Sequence, residues 1–142
     1  MACKKNTKSN TPAINFVSLT PDSVRAGSNQ DTTFLTFGFT DGDGDLGNDP
    51  TSGKFDVFLR DSRDTSIPIT KLFFPPIPDD ARDPINGMEG EGRIALRAVY
   101  ITPRQDTLHK LHGDTLRYDM WVVDQAGHVS DTITTTPLHI LP

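Results

Sequence analysis

Three aspartates in the first third of the chain alternate with glycines in a pattern that suits a hard cation. The stretch Asp41-Gly42-Asp43-Gly44-Asp45 places a carboxylate at every second position, and the glycines permit a tight backbone path. Carboxylate oxygens are ligands that Ca²⁺ prefers, and three of them close together repel one another unless a cation lies between them. The spacing therefore predicts one structural Ca²⁺ ion, with a plain solvated Asp-Gly turn as the alternative.

The acidic stretch does not complete an EF-hand. Counted from Asp41, the sixth position of that loop should be Gly and is Leu46, and the twelfth should be Glu and is Ser52. No helical pattern flanks the stretch on either side. The remaining ligands must come from other parts of the chain, so the surrounding elements decide where they lie.

Those elements are predicted to be strands, because apolar residues recur at every second position through most of the chain from Ala13 onward. We place seven strands at residues 13–19, 31–40, 54–60, 67–74, 92–101, 115–124 and 128–136. Helix should make up less than about 10% of the chain. The Pro-rich stretch 74–92 is predicted to be a crossover without a central strand. The pattern predicts an all-β protein, a seven-strand immunoglobulin-like antiparallel β-sandwich over residues 13–142.

The C-terminal third resembles the hairpin between strands F and G of immunoglobulin-like and fibronectin type III-like domains. Tyr118 stands where those domains have a tyrosine that enters strand F. The stretch from Asp124 to Ser130 is similar to their Asp-x-Ala-Gly-Asn-x-Ser corner, with His128 in place of the Asn. In that strand order the loops after strands B and F lie at the same end of the sandwich. We therefore expect Asp124 to be the fourth ligand of the cation, with Trp121 and His128 as candidate ligand-binding residues.

The N-terminal residues 1–12 are polar and basic, which predicts a flexible tether. The segment from Ala2 to Asn6, with the sequence ACKKN, resembles the end of a bacterial lipoprotein signal, in which a small residue precedes a lipidated cysteine. Together with residues 39–47 and the C-terminal hairpin, it makes the chain similar to a group of Bacteroidetes lipoproteins with sandwich domains. The resemblance implies lipidation of Cys3 and attachment to the outer membrane in the cell envelope, on its periplasmic or its outer face. A cytosolic protein with a chance cysteine is the alternative.

Composition and motifs narrow the function classes. The net charge of −5 argues against nucleic-acid binding, and no apolar run is long enough to span a bilayer, so a membrane is expected to be reached only through the lipid. No nucleophile–base motif is evident, and His109 and His112 are expected in a solvated loop. We expect a non-catalytic extracytoplasmic binding or adhesion module for an unknown protein or glycan. The alternative is a small hydrolase or a polysaccharide-utilisation accessory protein with its site at the acidic loop end.

Overall fold

Ten β-strands in three sheets are the main regular structure of residues 8–142, the part of the chain that this computed structural model describes. The strands are β1 (Ala13–Thr20), β2 (Ser23–Arg25), β3 (Thr32–Asp41), β4 (Val57–Asp61), β5 (Thr70–Leu72), β6 (Met88–Arg97), β7 (Asp114–Leu116), β8 (Tyr118–Val122), β9 (Ile133–Thr134) and β10 (Leu138–Leu141). The helical elements are α1 (Thr107–His112) and 3-10 turns at Pro50–Ser52, Asp79–Ala81 and Ala98–Tyr100. With 41% strand and 11% helix, the predicted all-β class is confirmed, and the helix content lies just above the expected limit.

The three sheets have the strand orders β1-β3-β6, β2-β10-β7 and β5-β4-β8-β9. All strand pairs are antiparallel except β2 and β10, which run parallel. Strands β7 and β8 are separated only by Arg117, and β9 and β10 are separated only by residues 135–137. The second and third sheets are therefore joined through two continuous stretches of chain.

The core forms where the alternating apolar positions of these sheets meet. In β3, Leu35 and Phe37 are fully buried and Phe39 is nearly so. The ring of Phe74 meets those of Phe37 and Phe39 edge-on, at centroid distances of 5.6 and 5.1 Å. Leu46, from the acidic loop after β3, is also fully buried in this core. The loop that carries the candidate cation ligands is thus anchored from below by an apolar side chain.

Strand β6 corrects two expectations from the sequence. It begins at Met88, before the predicted start at residue 92, because the prolines end at Pro84 and the next residues pair with the end of β3. It is an edge strand, so the expectation that residues 74–92 hold no central strand is not contradicted. It ends at Arg97, before the predicted end at 101, because a 3-10 turn interrupts the alternation. Tyr100, the last residue of that turn, is 79% exposed.

Three short elements were absent from the sequence-based assignment. Strands β2 and β10 lie outside all predicted strands and pair with each other in parallel. Helix α1 occupies the predicted solvated loop around His109 and His112, with the Asp106 side chain accepting a hydrogen bond from the His109 N–H at 3.0 Å. Elements this short contain too few residues to show a period.

Residues 8–12 lie against the acidic loop. The Gly42 N–H donates to the Ser9 carbonyl at 2.7 Å, the Lys8 ammonium lies 3.9 Å from the Glu89 carboxylate, and Pro12 is buried. The predicted tether spans residues 1–12, of which residues 1–7, including Cys3, lie outside the described residues. The last part of that segment therefore makes contacts that the expectation of a plain tether did not include. No helix in the described chain is long and apolar enough to cross a membrane.

Candidate metal centre

Four carboxylates come together at one end of the molecule. Asp41 is the last residue of β3, Asp43 and Asp45 follow it in the loop, and Asp124 lies in the turn after β8. One oxygen from each of the four lies within 4.8 Å of the others. The structure therefore brings together all four residues that the sequence nominated as cation ligands.

Three of these aspartates each carry a buried oxygen that no donor satisfies. Within the described chain, Oδ1 of Asp41, of Asp43 and of Asp45 has no hydrogen-bond partner. The second oxygen of Asp41 accepts the Asp45 N–H at 3.0 Å, and the second oxygen of Asp45 accepts the Ala126 N–H at 3.1 Å. Asp41 is fully buried. A buried, unpaired carboxylate oxygen is costly, so the cluster requires a cation or bound protons.

The raised pKa values of two aspartates in the cluster also show that negative charge is unfavourable there. Burial, together with hydrogen bonding and charge repulsion from Asp45 and Asp43, raises the pKa of Asp41 to about 7. Burial also raises the pKa of Asp45, and Asp43 and Asp124 add to that effect. A carboxylate with a raised pKa retains its proton closer to neutral pH, and a divalent cation binds by displacing such protons.

Two other connections hold the acidic loop in place. Arg82, between β5 and β6, donates from its guanidinium to the carbonyls of Leu46 at 2.7 Å and Gly47 at 3.3 Å. Gln125, in the turn after β8, donates its N–H to the Asp45 carbonyl at 3.1 Å and its side-chain amide to the Gly47 carbonyl at 2.9 Å. The acidic loop is therefore held by the connection between β5 and β6, through Arg82, and by the turn after β8, through Gln125.

Two glycines let the chain segments approach this closely. Gly44 has a φ of +69°, and a Cβ there would lie 2.8 Å from the Asp83 carbonyl oxygen. A Cβ on Gly42 would lie 2.5 Å from the carbonyl oxygen of Lys8. The glycines between the aspartates therefore serve the packing of neighbouring segments as well as the curl of the loop.

His128 lies beside the cluster and holds Asp124. Its backbone N–H donates to Oδ1 of Asp124 at 2.7 Å, and its imidazole Nδ1 lies 2.8 Å from Oδ2. The hydrogen bond and the charge of Asp124 raise the pKa of His128. The His128 side chain is 44% exposed, while Asp124 is buried. Asp43, Asp124 and His128 also offer ligand atoms within 4.8 Å of one another. His128 therefore lies at the rim of the site, where it can orient the buried Asp124 carboxylate.

Trp121 occupies a different position, on the outer face of the third sheet. Its ring stacks on Phe58 with a centroid distance of 5.7 Å and an interplanar angle of 9°. The Arg60 guanidinium lies 5.3 Å from the same ring. These contacts account for its partial burial, and ligand binding by Trp121 stays a prediction.

Sequence reasoning missed two residues that build the site. Asp56 was assigned no role, yet it is fully buried. Its carboxylate accepts the N–H and the side-chain amide of Asn48, and also the Phe74 N–H at 3.1 Å. Arg82 was assigned no role, although it bonds two loop carbonyls. Nothing in the local sequence distinguishes either residue, because both act on segments distant in the chain.

Comparison of the chain with protein families, curated proteins and solved structures found no match.

Proposed function

We propose that the protein is a non-catalytic extracytoplasmic binding module of immunoglobulin-like topology, in which Asp41, Asp43, Asp45 and Asp124 hold one Ca²⁺ ion. The observation that carries the proposal is the set of three buried carboxylate oxygens without a donor, in a cluster whose ligand atoms lie within 4.8 Å. A cation supplies the missing interaction for all three oxygens at once and removes the repulsion among the four charges.

The donor set favours Ca²⁺ over other divalent ions. All four ligands are carboxylates, one at the end of β3 and three in loops, and Ca²⁺ accepts about six to eight oxygens at about 2.3–2.6 Å in flexible geometry. Backbone carbonyls and water would complete that number. Mg²⁺ demands a strict octahedron and gives up its water reluctantly, while zinc sites are usually built from Cys and His ligands.

The strand orders support the immunoglobulin-like assignment. The order β1-β3-β6 matches strands A, B and E of such domains, and β5-β4-β8-β9 matches C′, C, F and G. In this correspondence the acidic loop joins strands B and C, and the turn with Asp124 joins F and G. The two connections that bring the carboxylates together are the ones this topology places at one end.

The loops at the cation end are the proposed recognition surface. A bound ion would fix the acidic loop before a ligand arrives, and preorganisation of that kind reduces the entropy lost on binding. The exposed His128 lies at the rim of this surface. A protein or a glycan is the proposed ligand, and a lipid on Cys3 is the proposed link to the outer membrane.

Calorimetric titration of the chelator-treated protein with CaCl₂ tests the cation site. We expect one Ca²⁺ per chain, much weaker binding of Mg²⁺, and loss of Ca²⁺ binding in Asp43→Asn. Asp49→Asn is the matched control, because Asp49 lies exposed in the same loop and uses its carboxylate to cap Thr51 at 2.8 Å. Absence of Ca²⁺ binding by the wild-type protein, or equal loss in both variants, would contradict the proposal.

A further inference from the structure

Strand β6 presents a long, regular edge with no neighbour on one side. It pairs with β3 over its whole length, from Met88 to Arg97, without a register shift, and it is the last strand of its sheet. Among the described residues, no backbone hydrogen bond outside the strand ladders involves any residue of β6. An edge of this kind offers a row of N–H and C=O groups to another strand.

The other sheet edges are shorter or irregular. Strand β1, at the opposite edge of the same sheet, has a register shift between Phe16 and Ser18 and is flanked by Pro12 and Pro21. Strands β5 and β9, the edges of the third sheet, have only three and two residues. Bulges, prolines and short length are among the usual means of keeping an edge from pairing, and β6 has none of these three. Charged side chains are another such means, and β6 carries charges of both signs.

The charges along β6 complement the same strand run in the opposite direction. Its exposed positions carry Glu89 and Glu91 in the first half and Arg93 and Arg97 in the second. A two-fold axis perpendicular to the sheet, midway between Gly92 and Gly92 of a second copy, would place Glu91 directly opposite Arg93 of that copy. Glu89 would then lie diagonal to Arg93 and Arg97 of that copy, within reach of long side chains.

We infer that the free edge of β6 pairs antiparallel with β6 of a second copy of this chain, which joins two three-stranded sheets into one of six strands. The register keeps solvent-facing side chains opposite solvent-facing ones, since Gly92 lies opposite Gly92 of the copy and the side chains alternate with a period of two. Such a contact is isologous and closed, so it yields a dimer and no longer assembly. The inference is independent of the cation site.

Sedimentation equilibrium of the full chain over a wide concentration range tests this edge. The wild-type protein should be in concentration-dependent equilibrium between monomer and dimer. Glu91→Arg and Arg93→Glu should each raise the dimer dissociation constant about tenfold, or about 1.4 kcal/mol, because each altered cross-strand pair occurs twice in the dimer. The double variant, with both charges exchanged, should return the constant close to the wild-type value.

Two controls separate the edge from other effects. Arg60→Glu alters a charge on β4, in the third sheet, and should leave the dissociation constant unchanged. Because the Arg93 guanidinium lies 3.9 Å from the Phe34 ring centroid, the melting temperature of each variant is measured as well. A wild-type protein that stays monomeric at every concentration, an equal effect of Arg60→Glu, or a folded double variant that does not recover dimerisation would each overturn the inference.

Discussion

Replacing Asp43 by Asn should change the stability of the protein in opposite directions with and without Ca²⁺. Two unit charges 4.8 Å apart, the outer limit within the cluster, repel by about 3.5 kcal/mol at an effective dielectric constant of about 20. The relief in the metal-free protein is smaller, because the raised pKa of Asp41 leaves part of that charge neutralised near neutral pH. We expect Asp43→Asn to raise the free energy of unfolding in chelator by about 1–2 kcal/mol.

In Ca²⁺ the order of the two proteins should reverse. The wild-type protein gains about 2.7 kcal/mol when free Ca²⁺ exceeds its dissociation constant a hundredfold. The variant lacks one of four carboxylates and loses most of this gain. Thermal melts in EDTA and in millimolar CaCl₂ should therefore cross, with the variant several degrees more stable in the first buffer and less stable in the second.

Asp49→Asn should melt like the wild-type protein in both buffers, since Asp49 lies outside the cluster. Two results would refute the reasoning. If Asp43→Asn lowers the melting temperature in EDTA, the carboxylate is held by local hydrogen bonds and charge repulsion is not the dominant effect. If the wild-type protein melts at the same temperature in both buffers, the acidic stretch is a plain turn.

Three further predictions concern other parts of the chain. Arg63 lies 2.5 Å from the Asp61 carboxylate and 2.7 Å from that of Asp114, with 4% of its side chain exposed, so Arg63→Met should cost about 3–5 kcal/mol in urea denaturation. Arg104→Met, at a half-exposed contact with Asp114, should cost less than about 1 kcal/mol, and equal costs would contradict the argument from burial. Burial alone would raise the pKa of Asp114, but hydrogen bonds from the Arg104 backbone N–H and the Arg63 guanidinium hold that pKa below its usual range. The stability that the Asp114 carboxylate contributes is present above the ordinary carboxyl pKa and is lost as the pH falls below about 4. Urea midpoints measured at neutral and at acid pH should therefore fall less on acidification in Arg63→Met than in the wild-type protein. Expressed behind a lipoprotein signal, the chain should gain the mass of a lipid and fractionate with membranes, whereas Cys3→Ala should do neither; equal fractionation of the two would exclude the anchor.

The sequence predicted the parts of the fold that depend on local alternation. Leu35, Phe37 and Phe39 face the core as expected, because β3 keeps a period of two over its whole length. The start of β6 could not be found in this way, because Glu89-Gly90-Glu91-Gly92 has no apolar alternation. Those residues are strand because they pair with residues 37–40 of β3, a contact between segments far apart in the chain.

The same distinction between local pattern and long-range contact applies to the residues of the site. Asp41, Asp43 and Asp45 could be nominated from spacing alone, since their proximity is guaranteed by the short chain between them. Asp124 required an argument from topology. The burial of Asp56 could not be predicted, because it follows from hydrogen bonds to Asn48 and Phe74 that exist only after the loops have packed.

Asp41 and Asp49 differ in the way that the proposed cation site requires. Asp49 shows what a plain turn aspartate does here: it is exposed and its carboxylate caps the N–H and hydroxyl of Thr51. Asp41 is fully buried, and Leu46, packed in the core, holds the loop over it. Because Asp41 cannot turn towards water, its unpaired oxygen is not relieved by solvent. A loop that fixes a carboxylate in this position loses stability unless a cation or a proton is bound there, and one cation can serve all three unpaired oxygens at once.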